Sequence, residues 1–139
     1  RTGLGRQEVK IAVDTNVLIR AVVRDDPAQA KVATRVLKQA ELIAVALLCL
    51  CEFAWVLRQV YGCTAADVVL AIRTLLAAAN VEANRPAVEA GLSVLEAGGD
   101  FADGVIAYEG CWLGGESFVS FDKKAVALLT TAGQSARLL

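Results

Sequence analysis

The pattern that decides the fold first appears at Val9–Val13, with the sequence VKIAV, and at Asp14, which follows it directly. A short run of β-branched and apolar residues predicts a buried strand. The same arrangement returns at Ser117–Phe121, where a second predicted strand ends at Asp122. Taking a carboxylate out of water costs several kcal/mol unless something compensates its charge. Acids placed at the ends of apolar strands therefore call for a specific explanation.

Predicted helices alternate with these strands. Asp26-Pro27 predicts a helix start, because aspartate caps helices and proline fits the first helical position. A strand at Leu42–Leu48 is predicted to pass into a helix that contains residues 53–57 and ends at Gly62, and Thr64–Asp67 resembles a capping box. The remaining predictions are a helix to about Ala79, a strand at Val81-Glu82, helices over Pro86–Ala97, from Asp100 to about Leu113 and from Asp122 to about Ala132, and an edge strand at Ala136–Leu139. This order predicts a single three-layer α/β/α domain with a mainly parallel central sheet.

Length and composition place this domain within residues 9–139 of a 139-residue chain. We expect Arg1–Glu8, which has no apolar signal-peptide core, to be a leader or cloning remnant outside the fold. The longest uncharged apolar run, Leu42–Cys51, is about half the length of a membrane span. The four cysteines form no CxxC pair, which favours reduced core thiols in a cytoplasmic protein over a structural Cys₄ zinc site.

Four acids stand in apolar surroundings: Asp14, Glu52, Asp103 and Asp122. Two come directly after predicted strands, and two lie near predicted helix starts, so in an open parallel sheet all four belong at the same edge. Like charges at contact distance do not all stay ionised without compensation. An all-oxygen ligand set suits a hard divalent cation, Mg²⁺ or Mn²⁺. The chain has no histidine, which excludes Ser-His-Asp and Cys-His catalysis as well as histidine general bases.

Each acid also has a purely structural interpretation. Asp122 and Asp103 are possible helix caps, Asp100 is a better cap candidate than Asp103, and Asp14 is suited to opening a turn. Glu52 has the weakest such interpretation, because a glutamate inside an apolar stretch rarely has a structural role without a partner. The combination of four acids at these four places favours a metal site.

In their order, these residues resemble the motifs of PIN domains, and more closely those of VapC-type toxins of toxin–antitoxin pairs. The first motif is Ile11–Leu18 with Asp14 and Asn16, and the second is Glu52 with Trp55-Val56-Leu57. The third is Asp100–Ala107, and the fourth is Phe118–Ala125, where Ser120 precedes Asp122 by two. The resemblance spans about Val9 to the C-terminus. Two positions depart from the family pattern: Cys49 replaces a small hydroxyl residue, and Gly104 replaces an alanine.

The resemblance implies a Mg²⁺- or Mn²⁺-dependent endoribonuclease that forms a homodimer and is inhibited by a cognate antitoxin. Asp14 and Asp103 would be the principal metal ligands, Asp122 and Glu52 would hold metal or its waters, and Asp100 would assist. Asn16 and Ser120 would orient Asp14 and Asp122 by hydrogen bonds. The substrate-binding candidates are Arg20, Arg58, Lys123 and Lys124, although a solvated charge is the commoner role for each. Trp55 and Trp112 are possible base-stacking residues, and Trp55 is expected in the core because it follows an apolar turn.

Three alternatives accompany this hypothesis. A receiver-type phosphorylation domain needs an acidic pair at the first strand, and a haloacid-dehalogenase-like phosphatase needs a second aspartate where this chain has Asn16. The strongest alternative is a catalytically silent PIN-fold module that binds RNA or a partner without cutting. The complete set of acids favours the enzyme.

Overall fold

The computed structural model describes residues 9–139, which form seven helices joined with five short strands. The predicted leader, Arg1–Glu8, lies outside the described residues. The helices are α1 (Thr15–Val23), α2 (Pro27–Gln39), α3 (Leu47–Gln59), α4 (Ala65–Ala77), α5 (Arg85–Glu96), α6 (Phe101–Trp112) and α7 (Lys123–Thr131). The strands are β1 (Lys10–Ala12), β2 (Leu42–Ala44), β3 (Val81–Glu82), β4 (Phe118–Ser120) and β5 (Ala136–Leu138).

Every strand pairing is parallel. The order β1-β2-β3 forms one sheet, in which Ile11 pairs with Ile43 and Ile43 with Val81. The strands β4 and β5 form a second sheet, with Val119 opposite Arg137. The predicted α/β class and parallel pairing are confirmed, while the sheet is divided into these two parts. Since parallel strands need crossover connections, helices separate successive strands of the chain.

The local start signals place several helices as expected. Asp26 caps α2 by accepting a hydrogen bond from the Gln29 N–H at 3.1 Å, with Pro27 at the first helical position. Thr64 and Asp67 form the predicted reciprocal capping box of α4. In each case the signal lies within four residues of sequence, and so it does not depend on tertiary packing.

The apolar stretch from Leu42 is where the prediction of secondary structure is wrong. The strand ends at Ala44 and α3 already begins at Leu47, so Glu52 lies in the second turn of α3 instead of near its start. A continuous apolar run has no periodicity that separates a buried strand from a buried helix. Helix α1, directly after Asp14, is an addition to the predicted elements.

The main core surrounds α3. Leu50, Phe53 and Leu57 are almost fully buried and pack with Ile43 of β2 and Ile72 of α4. A smaller cluster, separate from this core, contains Val94, Ala107 and Leu129. Helix α3 also packs against both α1 and α6, the two helices that follow Asp14 and Asp100. The fold thereby places α3 between the elements that carry the other candidate acids.

Two residues predicted to lie in the core, Trp55 and Cys111, are exposed instead. Trp55 is 61% exposed, because the buried face of α3 is formed by Phe53, Ala54 and Leu57. Of the four cysteines, all free, Cys49 is buried, Cys51 and Cys63 are half-buried, and Cys111 is exposed. Within residues 9–139, no helix combines the length and apolarity that crossing a bilayer requires.

Candidate acidic site

The first group of acids is Asp14 and Glu52, which meet around Thr15 and Cys49. The Thr15 hydroxyl donates a hydrogen bond to Glu52 Oε1 at 2.7 Å, across 37 positions of sequence. Asp14 caps α1 by accepting from the Val17 N–H at 3.1 Å through Oδ1. The second carboxylate oxygen of Asp14 takes no part in the cap, so Asp14 is able to cap α1 and to bind a ligand at the same time.

The negative charge of this group affects the pKa of the Cys49 thiol. Burial raises the pKa of the Cys49 thiol, the Thr15 hydrogen bond opposes that rise, and the negative charges of Glu52 and Asp14 add to it. Burial likewise raises the pKa of Cys51 to about 11, with a further contribution from Glu109. Both thiols therefore stay protonated at neutral pH, and oxygen atoms are the donors that this region offers to a cation.

The second group is Asp100, Asp103 and Asp122. The pKa of Asp103 is raised, first by burial and then by the negative charges of Asp100 and Asp122. The shift therefore reflects mainly the removal of the Asp103 carboxylate from water, to which repulsion by the two neighbouring charges adds. Asp103 lies in the first turn of α6 and is half-buried, whereas Asp100 and Asp122 are exposed.

The other two aspartates of this group start helices in different ways. Asp122 caps α7, since its Oδ1 accepts from the N–H groups of Lys124 and Ala125 at 3.0 and 3.1 Å. Asp100 stands at the N-cap position of α6, but its side chain makes no capping hydrogen bond. The structural interpretation thus accounts for Asp122 and leaves the Asp100 carboxylate free to act elsewhere.

The predicted orienting residues behave differently from each other. Ser120 Oγ accepts a hydrogen bond from the Asp122 backbone N–H at 2.9 Å, which fixes the turn that carries this acid. Asn16 is exposed and lines the same surface cavity as Asp14. Thr15, which was not among the predicted orienting residues, donates the side-chain hydrogen bond that fixes the carboxylate of Glu52. Its only sequence signal is a hydroxyl directly after Asp14.

The predicted cationic residues are also placed by the structure. Arg20 donates to Gln29 at 2.7 Å and to Asp25 at 3.0 Å, so its guanidinium is already engaged near Asp14. Lys123 and Lys124 are exposed at the start of α7, beside Asp122. Arg58 is exposed on α3 and lines a small cavity together with Asp100.

The donor chemistry fits a hard divalent cation, because every acid in the two groups offers carboxylate oxygen. Among residues 9–139, however, no three acid or cysteine side chains are arranged closely enough to hold one ion. Two or more carboxylates would have to rotate toward a bound cation. The exposure of Asp14, Glu52, Asp100 and Asp122 leaves room for that rotation.

Comparison with known protein families identifies the domain. The family model of the PIN domain matches residues 11–127, which include both acidic groups. PIN domains are generally nucleases with a divalent metal at an acidic site. No curated protein matches the chain.

Proposed function

Because this chain belongs to the PIN-domain family, we propose that it is a Mg²⁺- or Mn²⁺-dependent endoribonuclease whose site joins the two acidic groups. The observation that carries the proposal is that the PIN-domain match covers all five acids of the two groups. The raised pKa of Asp103, caused first by burial and then by the charges of Asp100 and Asp122, supports it, because a bound cation would stabilise these carboxylates. Helix α3, which carries Glu52 of the first group, packs against α1 and against α6, which carries Asp103 of the second group.

In this proposal, Asp14 and Asp103 are the principal ligands, Asp122 and Glu52 hold the ion or its waters, and Asp100 assists. When bound, a divalent cation neutralises a non-bridging phosphate oxygen and lowers the pKa of attacking water. Thr15 fixes the Glu52 carboxylate, and Ser120 fixes the turn at Asp122. Lys123 and Lys124 are suited to phosphate contacts because they directly follow Asp122 and are exposed. Arg20 is the weaker substrate candidate, since Asp25 and Gln29 already hold it.

The test is cleavage of a mixed tRNA and mRNA pool with Mn²⁺ or Mg²⁺. Cleavage should disappear with EDTA and in the variants Asp14→Asn and Asp103→Asn. Asp26→Asn is a matched control, because Asp26 caps α2 as Asp14 caps α1 and lies in neither acidic group. Cleavage that persists in Asp103→Asn would contradict the proposed site.

A non-cutting PIN-fold binding module is the second candidate. It is favoured by the finding that no three acids among the described residues stand ready to share one ion. Calorimetric titration with Mn²⁺ separates the candidates when combined with the cleavage assay. Metal binding without turnover on any RNA would support the module, and absence of metal binding would leave Asp14 and Asp122 with their roles as helix caps alone.

We further propose that the chain is the VapC-type toxin of a toxin–antitoxin pair and acts on cellular RNA in the cytoplasm. An apolar cavity of about 470 Å³ between α1 and α2, which includes Val17, Val32 and Asp14, offers a surface for a cognate antitoxin. The expected result is that co-expression with the neighbouring gene product rescues growth and suppresses cleavage. Unchanged toxicity would contradict this assignment.

We also propose a homodimer. Trp112 and Leu113, at the end of α6, are 75% and 83% exposed, which is an unusual cost for large apolar side chains in a monomer. Sedimentation should give a dimer for the natural chain and a monomer for the double variant Trp112→Ser/Leu113→Ser. A monomer at micromolar concentration for both would refute the dimer.

A further inference from the structure

Trp55 is a large aromatic side chain beside the candidate site that the core does not use. It is 61% exposed, and its indole N–H has no hydrogen-bond partner among the residues that the structure describes. Trp55 follows Glu52 by three positions on α3, and residues with this spacing are neighbours on one helix face. The exposed indole therefore lies one helical turn from a candidate catalytic acid.

A small cavity connects Trp55 with the second acidic group. Its volume is about 90 Å³, and its lining includes Trp55, Arg58 and Asp100. The base of the cavity is apolar, since Ala54, Leu95 and Phe101, which also line it, are almost fully buried. The cavity thus presents an aromatic wall and one cation, next to the carboxylate of Asp100.

Arg58 is available to an anionic ligand. It is exposed, and none of the ion pairs found within residues 9–139 includes it. It stands three positions after Trp55, on the side of α3 that faces the cavity. Arginine in such a position pairs with phosphate oxygens, usually through two N–H groups.

We propose that Trp55 and Arg58 form a subsite for one unpaired nucleotide next to the scissile phosphate, with the indole stacked on the base and the guanidinium on a phosphate. This inference rests on the proposed ribonuclease function and adds the two residues that would hold a nucleotide beside the acids. A base held in a duplex has no free face for Trp55, whereas an unstacked base in a loop presents one. Stacking tolerates every base, so the subsite selects for an unpaired nucleotide more than for a sequence.

The test uses the fact that the chain contains two tryptophans. In the double variant Trp112→Phe/Asp103→Asn, Trp55 is the sole tryptophan and turnover is suppressed. We expect a mixed-sequence single-stranded RNA decamer to quench its fluorescence saturably, and a duplex of the same sequence to quench it far less. In the Asp103→Asn background, Trp55→Ala should weaken decamer binding by about 5- to 150-fold, while Trp55→Phe stays close to the parent. Arg58→Gln should also weaken binding and reduce its salt dependence by about one phosphate contact.

Leu70→Ala is the control, because Leu70 of α4 is 67% exposed, does not line this cavity and has no role in the proposed site or dimer. Equal affinities of Trp55→Ala and Leu70→Ala for the decamer would overturn the subsite, even if the natural chain cleaves RNA. A change of oligomeric state in Trp55→Ala, measured by sedimentation, would overturn it in favour of a contact between copies. Quenching by the decamer in a protein that cleaves nothing would support the subsite and contradict the nuclease.

Discussion

Gly104→Ala tests the close approach of α5 and α6, which positions Asp103. A Cβ built on Gly104 would lie 2.3 Å from the Ala90 carbonyl oxygen and 2.8 Å from the Gly91 Cα, both of them backbone atoms of α5. These distances are far below 3.4 Å, where ordinary contact begins. Since backbone does not rotate away, the two helices must move apart by about 1 Å to admit the methyl group.

The magnitude follows from two opposing effects. Overpacking a tight contact costs about 1–3 kcal/mol, and a backbone clash belongs at the upper end of that range. Alanine gains about 1 kcal/mol over glycine in helix propensity. We therefore expect Gly104→Ala to lower the free energy of unfolding by about 2 kcal/mol and, by shifting Asp103, to reduce cleavage as well.

Gly110→Ala is the control on the same helix. Nothing lies within 4 Å of a Cβ at Gly110, so this substitution should raise the free energy of unfolding by about 0.5–1 kcal/mol. Urea denaturation of the two variants, monitored by circular dichroism, measures the difference. If Gly104→Ala is as stable as Gly110→Ala, the two helices are not held at these short distances, and the expected loss of stability from the α5–α6 clash is refuted. The same close approach accounts for a glycine at position 104.

Three further outcomes are expected. In the absence of metal, Asp103→Asn should raise the free energy of unfolding by about 0.5–2 kcal/mol at pH 7. Because the folded-state pKa of Asp103 is raised, its charged form destabilises the fold, so the advantage of asparagine should be complete above that pKa and vanish below about pH 3.9. A stability advantage that grows as the pH falls would contradict this expectation. Thr15→Val should remove the hydrogen bond to Glu52, lower the free energy of unfolding by about 0.5–1.5 kcal/mol and reduce cleavage, whereas Thr15→Ser should keep the stability and the cleavage of the natural chain. Urea denaturation and initial cleavage rates measure these effects, and full activity of Thr15→Val would refute the positioning role. Asp122→Ala should lower the free energy of unfolding by about 1 kcal/mol, because two capping hydrogen bonds are lost, whereas Asp122→Asn should keep the cap and lose only cleavage. Equal thermal stabilities of the alanine and asparagine variants would show that the cap does not contribute.

The features that depend on neighbours along the chain were predictable from the sequence. The cap at Asp26, the box at Thr64–Asp67 and the strand before Asp122 follow from a few adjacent residues and are confirmed. The alternation of strands and helices predicted the α/β class, and the ordered acids predicted the PIN-domain family; both are confirmed.

What failed depends on tertiary structure. The run from Leu42 to Cys51 has no periodicity to divide strand from helix, and so the start of α3 was misplaced. The exposure of Trp55 is decided by which face of α3 meets the core, and composition does not specify that face. The Thr15–Glu52 contact joins positions 37 residues apart, a pairing that one sequence without aligned relatives cannot indicate.

The separation of the core into two clusters has a consequence for the lifetime of the assembled site. Asp122 lies between β4 and α7, which rest on the small cluster of Val94, Ala107 and Leu129, whereas Glu52 lies on α3 in the main core. Segments with few buried apolar contacts open locally at lower free energy than the whole domain. Amide hydrogens of α7 should then exchange by local opening, and those of α3 only by global unfolding. The C-terminal segment, and not the overall stability, would set how long all the acids stay assembled.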